Sequence, residues 1–135
     1  MLAKQIIFKS IDRNDYKDYL NKALEFSETM SVCLEKRKWN SAALEAVHCA
    51  ISVNDALTIW FKGIKCTSLN HEDSVTLLQS LSDIEGIKEN ATHLLRVIKK
   101  KNLIEYEKRN FNEEEAKNIT LHASRFLNWV RSILP

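Results

Sequence analysis

Hydrophobic residues recur at three- and four-residue intervals along most of this chain, which is the period of an amphipathic α-helix. The pattern predicts five helices, at about residues 12–38, 40–63, 71–81, 82–101 and 112–134. Turn and cap residues mark their ends: Asn40 or Ser41 before the second helix, Gly63 after it, Asn70 before the third, and the capping patterns Ser82–Glu85 and Asn112–Glu115 before the last two. The stretch from Lys101 to Phe111 is charged and is predicted to be irregular.

The second predicted helix is apolar on almost every face, with Ala43, Val47, Ala50 and Leu57 on one stripe. A helix of this kind lies at the centre of a bundle rather than on its surface. It nevertheless carries four polar residues, His48, Ser52, Asn54 and Asp55. Burial of these side chains is costly unless each finds a partner. The helix is therefore either a core element with a satisfied polar network or the floor of a site.

Two glycines and one proline in 135 residues leave few turn residues, which favours long helices joined by short polar connections. No sustained alternation of apolar and polar residues predicts a sheet. Residues 2–8 could form a short strand, but the sequence offers it no partner. We therefore predict a single domain over residues 1–135, an all-α up-and-down bundle of four long helices and one short helix.

The chain has no apolar run long enough for a signal peptide or a membrane span. Its three cysteines, Cys33, Cys49 and Cys66, form no C-x-x-C pair and are typical of a reducing compartment. We therefore expect a cytoplasmic protein without membrane contact. His71 is followed by Glu72 and Asp73, but these acids suit the first turn of a helix and no second ligand pair accompanies them. The sequence predicts no metal and no cofactor.

From Lys88 to Arg109 the chain has seven Lys or Arg residues and three acidic ones, a local charge of about +4. One interpretation is a surface that holds a phosphate backbone, with Tyr106 and Phe111 stacking on bases. The other is that Lys99, Lys100 and Lys101 stabilise the carboxyl end of a helix without any ligand. The sequence leaves both open.

Three stretches give this chain a likeness to a known family. They are Ser52–Leu57 followed by Gly63; Asn70–His71 before the helix at Val75–Leu81; and Lys101–Tyr106 followed by Glu113–Ala116 and Ala123–Leu127. In their order and spacing the chain resembles the HEPN family, the higher-eukaryote and prokaryote nucleotide-binding domains. The resemblance implies a helical bundle that forms a homodimer. It also implies a nucleotidyltransferase-like partner protein in a two-gene module of toxin–antitoxin type.

Catalytic members of that family are metal-independent ribonucleases with an Arg-x(4–6)-His motif near the final helix. Here Lys99, Lys100 and Lys101 stand in place of the Arg, and Glu105 and Tyr106 stand where the His would fall. Lysine lacks the planar fork that binds phosphate, and a carboxylate repels it. We therefore expect no ribonuclease activity. The alternatives are a degenerate ribonuclease that uses Lys101, Asn102 and Tyr106, or a purely structural helical adaptor.

The expected function is a non-catalytic HEPN-type partner protein that binds nucleotide or RNA. The candidate binding residues are Asp55, Lys99, Lys100, Lys101, Asn102 and Tyr106, and the candidate interface or buried polar residues are His48, Ser52 and Asn54. Asp55 could face the lysine cluster in a cleft between subunits, or pair with a basic side chain of a neighbouring helix. The tryptophans Trp39, Trp60 and Trp129 could likewise anchor a dimer interface or fill the core of their own chain.

Overall fold

The computed structural model describes residues 6–135 and is dominated by helices. These are α1 (Tyr16–Glu35), α2 (Trp39–Lys62), α3 (Glu72–Gln79), α4 (Ile87–Lys99), α5 (Lys101–Tyr106) and α6 (Glu113–Ile133), with a 3-10 turn at Arg13–Asp15 and two short strands, β1 (Phe8–Ser10) and β2 (Ile64–Cys66). The predicted all-α fold class is confirmed. None of the helices within residues 6–135 is both long and apolar enough to cross a membrane.

Helix α2 lies at the centre of the bundle and packs against every other helix. Four of its alanines, Ala42, Ala43, Ala46 and Ala50, are fully buried. Their small side chains allow neighbouring helices to approach closely, while larger residues such as Leu57 fill the space between them. The apolar character of α2 on almost every face thus follows from its position between the other helices.

Several predicted helix ends occur as expected. Gly63 ends α2 in the left-handed conformation, with φ +65°. At α3 the prediction is off by one residue: His71 precedes the helix without a side-chain cap, and the Asn70 side chain accepts a hydrogen bond from the backbone N–H of Glu72 at 3.0 Å. Asn112 and Glu115 form a reciprocal capping box at the start of α6, which satisfies two N–H groups that the helix itself leaves free.

Two other predicted caps are wrong. Helix α2 begins at Trp39 without a side-chain cap, because the Asn40 side chain instead accepts from the Phe111 N–H at 2.8 Å and donates to Asn110 at 3.0 Å. Helix α4 begins at Ile87 rather than near Ser82, because Gly86 adopts φ +88° immediately before it. A Cβ at Gly86 would lie 2.8 Å from the Trp129 indole nitrogen, so the turn requires glycine.

The structure corrects the prediction that there is no sheet. Strand β1 pairs antiparallel with β2, with Lys9 opposite Lys65. The pairing forms because Gly63 reverses the chain after α2 and accepts a hydrogen bond from the Ile11 N–H at 2.8 Å. Of the strand suggested at residues 2–8, residues 2–5 lie outside the described residues.

The stretch after α4 also differs from the prediction of an irregular segment. Residues 101–106 form α5, whose Lys101 ammonium bonds the Glu105 carboxylate at 2.7 Å across one helical turn. Pairs at this spacing favour helix in an otherwise polar sequence. The helix brings Lys101 and Asn102 close to the start of α3.

All three tryptophans pack against the core of this chain. Trp60 lies against Tyr16, with ring centroids 5.0 Å apart, and Trp129 stacks on Phe126 at 6.1 Å. These contacts favour the interpretation in which the rings fill the core of their own chain.

Candidate functional site

A polar pocket of about 410 Å³ lies where the start of α3 meets the end of α4 and the start of α5. Its lining consists of Leu69, Asn70, His71, Glu72, Ile98, Lys99, Lys101 and Asn102. Three of the candidate binding residues, Lys99, Lys101 and Asn102, thus line one pocket with His71, although His71 lies about thirty residues earlier in the sequence. The pocket forms because α5 follows α4 after a single residue, which places both lysines on the same side of the bundle as the start of α3.

Lys101 and Glu105 form an ion pair beside this pocket. The Lys101 Nζ atom lies 2.7 Å from a Glu105 carboxylate oxygen. This hydrogen bond, with the nearby positive charge, holds the pKa of Glu105 below its usual range. Glu105 is therefore ionised at neutral pH, and it offsets much of the positive charge that Lys101 would present to a phosphate.

His71 is half-buried in the pocket wall. Burial lowers its pKa, and the neighbouring Lys101 charge lowers the pKa further. His71 is therefore mostly neutral at pH 7, with one ring nitrogen available as an acceptor. Within residues 6–135, no group of three or more His, Cys, Asp or Glu side chains is placed to hold a metal ion.

Of the remaining candidates, Lys99 lines the pocket, whereas Lys100 and Tyr106 are exposed and do not line it. Lys99 is exposed and lines both the pocket and a neighbouring groove, which Lys100 also lines. Tyr106 is 75% exposed, and the Lys101 ammonium lies 5.8 Å from its ring centroid. Five of the six candidate binding residues therefore lie between the last residue of α4 and the end of α5.

Asp55 is the exception. Its side chain is buried, and burial raises its pKa to about 7, although the charges of Lys65 and Lys22 act in the opposite direction. Both lysines also lie over the ring of Tyr19, at 5.2 and 5.3 Å from its centroid. The cations that act on Asp55 thus come from β2 and α1. Within the chain, Asp55 therefore lies near basic side chains of neighbouring elements, and a cleft between subunits that joins it to Lys99–Lys101 stays a prediction.

The remaining polar residues of α2 have separate surroundings. His48 lies against Phe26, with ring centroids 5.5 Å apart, and its charge acts on Glu105. Asn54 is almost fully buried and donates to the Ser74 carbonyl at 3.4 Å. Its side-chain oxygen has no hydrogen-bond partner among the described residues. Ser52 is half-buried. His48 thus lies near α1 and α5, whereas Asn54 bonds α3.

One cluster was missed by sequence reasoning. His93 of α4 and His122 of α6 face each other, with their Nδ1 atoms 2.8 Å apart. An Arg follows each His three residues later, as Arg96 and Arg125. This repeated His-x-x-Arg pattern is the signal that could have found the cluster, but only if the two helices were known to be neighbours.

Comparison with known proteins gives one match. No curated protein and no solved structure is significantly similar to the chain. The family model described as HEPN domain matches residues 16–133, which include α1 to α6. The matched region contains the pocket, the Lys101–Glu105 pair and the two histidines between α4 and α6. This chain therefore belongs to the HEPN domain family.

Proposed function

We propose that this chain is a non-catalytic HEPN-domain protein that binds a phosphate group of a nucleotide or RNA in the pocket between α3 and α5. The observation that carries the proposal is the 2.7 Å bond between Lys101 and Glu105. Both residues belong to the Lys99–Tyr106 stretch that, by resemblance, corresponds to the Arg-x(4–6)-His motif of the family's ribonucleases, although three residues rather than four to six separate them. The two groups here bind each other instead.

The Lys101–Glu105 pair is poorly suited to cleaving RNA. Attack by a ribose hydroxyl needs a group that accepts its proton and a cationic group that stabilises charge on the phosphate. Glu105 is ionised and cannot donate a proton to the leaving oxygen, and its charge opposes an approaching phosphate. The ion pair with Glu105 reduces the positive charge that Lys101 offers to a phosphate.

The residues in and near the pocket are better suited to binding a phosphate group. Lys99 forms no ion pair among the described residues, so its charge is available to a phosphate. The Asn102 side chain adds amide donors, and the exposed ring of Tyr106 can stack on a base. These are the elements of a phosphate-binding site that tolerates different bases.

The partner that we propose is a nucleotidyltransferase-like protein of a two-gene module of toxin–antitoxin type, with this chain acting as a cytoplasmic homodimer. Family membership supports this proposal. Leu69 lines the pocket and is 98% exposed, and we propose that this apolar side chain contacts the partner protein. Light scattering of the chain alone tests for the homodimer. Light scattering of the chain co-expressed with the product of the adjacent reading frame tests for the complex with the partner. A monomer in both samples contradicts this part of the proposal.

Replacing Lys99 by Ala is expected to weaken binding of a labelled single-stranded RNA by about tenfold, because one charge-assisted phosphate contact is lost. Fluorescence anisotropy measures the change. Lys88→Ala is the matched control, since Lys88 is exposed on the same helix but lines neither the pocket nor the groove next to it. Equal affinity of the Lys99 and Lys88 variants argues against the site. The absence of any RNA or nucleotide binding by the unmodified chain favours a structural adaptor.

A further inference from the structure

The two histidines between α4 and α6 form a pair away from the pocket that contains Lys101. His122 is buried, His93 is half-buried, and their Nδ1 atoms are at hydrogen-bond distance, 2.8 Å. Such a contact requires that one ring donates its proton and the other accepts it. An additional proton therefore goes to the free Nε2 of the donating ring, since the accepting Nδ1 can take one only if the rings move apart.

Positive charge dominates the surroundings of this pair. Arg125 and Arg96 both act on His93, and both also act on His122. Glu89 is the acidic residue that faces His93, one turn earlier on α4. Neither arginine forms an ion pair with a side chain of residues 6–135. Within residues 6–135, four cationic or potentially cationic groups thus meet one carboxylate that acts on the pair, that of Glu89.

A groove of about 380 Å³ opens beside His122 on the same face. Its lining consists of Arg96, Lys99, Lys100, Leu103, Asn118 and His122, and it contains no acidic residue. Glu114 and Glu115 line the adjoining cavity, together with Arg96 and Lys100. Arg109 already holds Glu115 in a two-fold hydrogen bond at 2.7 and 2.8 Å. Donors therefore converge on the groove from both helices.

We infer that this groove is a second phosphate-binding site, and that a phosphate group bound by Arg96 and His122 is taken up together with a proton on the His93–His122 pair. The chemical class of the ligand is a tetrahedral oxyanion of a phosphate or phosphate ester. Guanidinium and imidazole donors are well matched to such oxygens. The site is separate from the proposed pocket around Lys101, which shares only Lys99 with it.

The proton uptake follows from electrostatics. Burial and the two arginines lower the pKa of both histidines, so the free pair is neutral at pH 7. A bound dianion offsets the arginine charges and favours a positive charge on the pair. Affinity for the anion must then increase as the pH falls through the pKa of the pair in the complex, and decrease as the pH rises. Like the bound anion, ionised Glu89 raises the pKa of His93.

The probe for this site is sulfate, which stays a dianion over the titration range of histidine, so that any proton taken up belongs to the protein. Proton NMR of the two imidazole rings is measured against pH, from about 5 to 8, with and without sulfate. We expect sulfate to raise the pKa of the pair, and Arg96→Ala to abolish this increase. Arg131→Ala is the matched control, an exposed arginine on α6 that does not line the groove.

Titrations with inorganic phosphate, a nucleoside 5′-monophosphate and an oligonucleotide that has only internal phosphodiesters identify the source of the phosphate. Lys101→Ala is expected to leave all of these signals unchanged, so failure of the pocket and failure of the groove are distinguishable. His93→Gln, at the less buried member of the pair, provides a variant that is expected to fold and to lose the pH dependence. Histidine pKa values that do not respond to any of the anions, or that respond equally in the Arg96 variant, overturn the inference.

Discussion

Replacing Phe126 by Ala is expected to lower the free energy of unfolding by about 3 to 5 kcal/mol, the cost of emptying a large, fully packed aromatic site. Phe126 is fully buried on α6 and stacks against Trp129, with ring centroids 6.1 Å apart. Its removal leaves a cavity in the core that α6 helps to form around α2. Chemical denaturation followed by circular dichroism measures the loss.

Leu121→Ala is the matched control for this variant. Leu121 lies on the same helix and is 45% exposed, so its truncation is expected to cost less than about 1 kcal/mol. If the two variants are equally stable, the packing of α6 against the core is not as described.

The second large effect concerns Asp55. Its carboxyl group has a pKa of about 7 in the folded chain, and about 4 when unfolded. Between these values the folded state binds more protons than the unfolded state, so the free energy of unfolding falls as the pH rises. The contribution of Asp55 to the free energy of unfolding is therefore fully present below about pH 4. It is lost progressively as the pH rises to about 7, at up to about 1.4 kcal/mol for each pH unit.

Asp55→Asn removes this titration while preserving the size of the side chain. At pH 8 we expect the variant to be more stable than the unmodified chain, by the order of 2 to 4 kcal/mol. At pH 4 we expect the difference to vanish. Asp18→Asn, at an exposed site on α1, is expected to show no comparable dependence. Parallel pH profiles for the Asp55 variant and the unmodified chain would contradict a burial of Asp55 that outweighs the charges of Lys65 and Lys22.

The hydrophobic pattern was sufficient to predict the central position of α2, because a helix with apolar residues on every side has no stable place at a surface. The capping box at Asn112 and the end of α2 at Gly63 were also predictable, since the interactions that define them are local. Strand β1 could not be predicted, because its partner lies more than fifty residues later in the chain.

The candidate site was predictable only in part, for the same reason. The Lys99–Asn102 segment was identified by its charge, but the pocket that it lines together with His71 depends on how α3 packs against α4 and α5. The partners of Asp55 lie on α1 and β2. The His93–His122 pair joins residues twenty-nine positions apart. In each case the chemistry depends on long-range packing, which no local pattern encodes.

Incubation of the purified chain with end-labelled single-stranded RNA in the presence of EDTA, followed by separation on a denaturing gel, tests most directly whether the Lys101–Glu105 pair has replaced catalysis. We predict that the RNA remains intact, because Glu105 is ionised and occupies Lys101. Cleavage that persists without metal and disappears in the Lys101→Ala variant would contradict the proposed function and establish a ribonuclease instead.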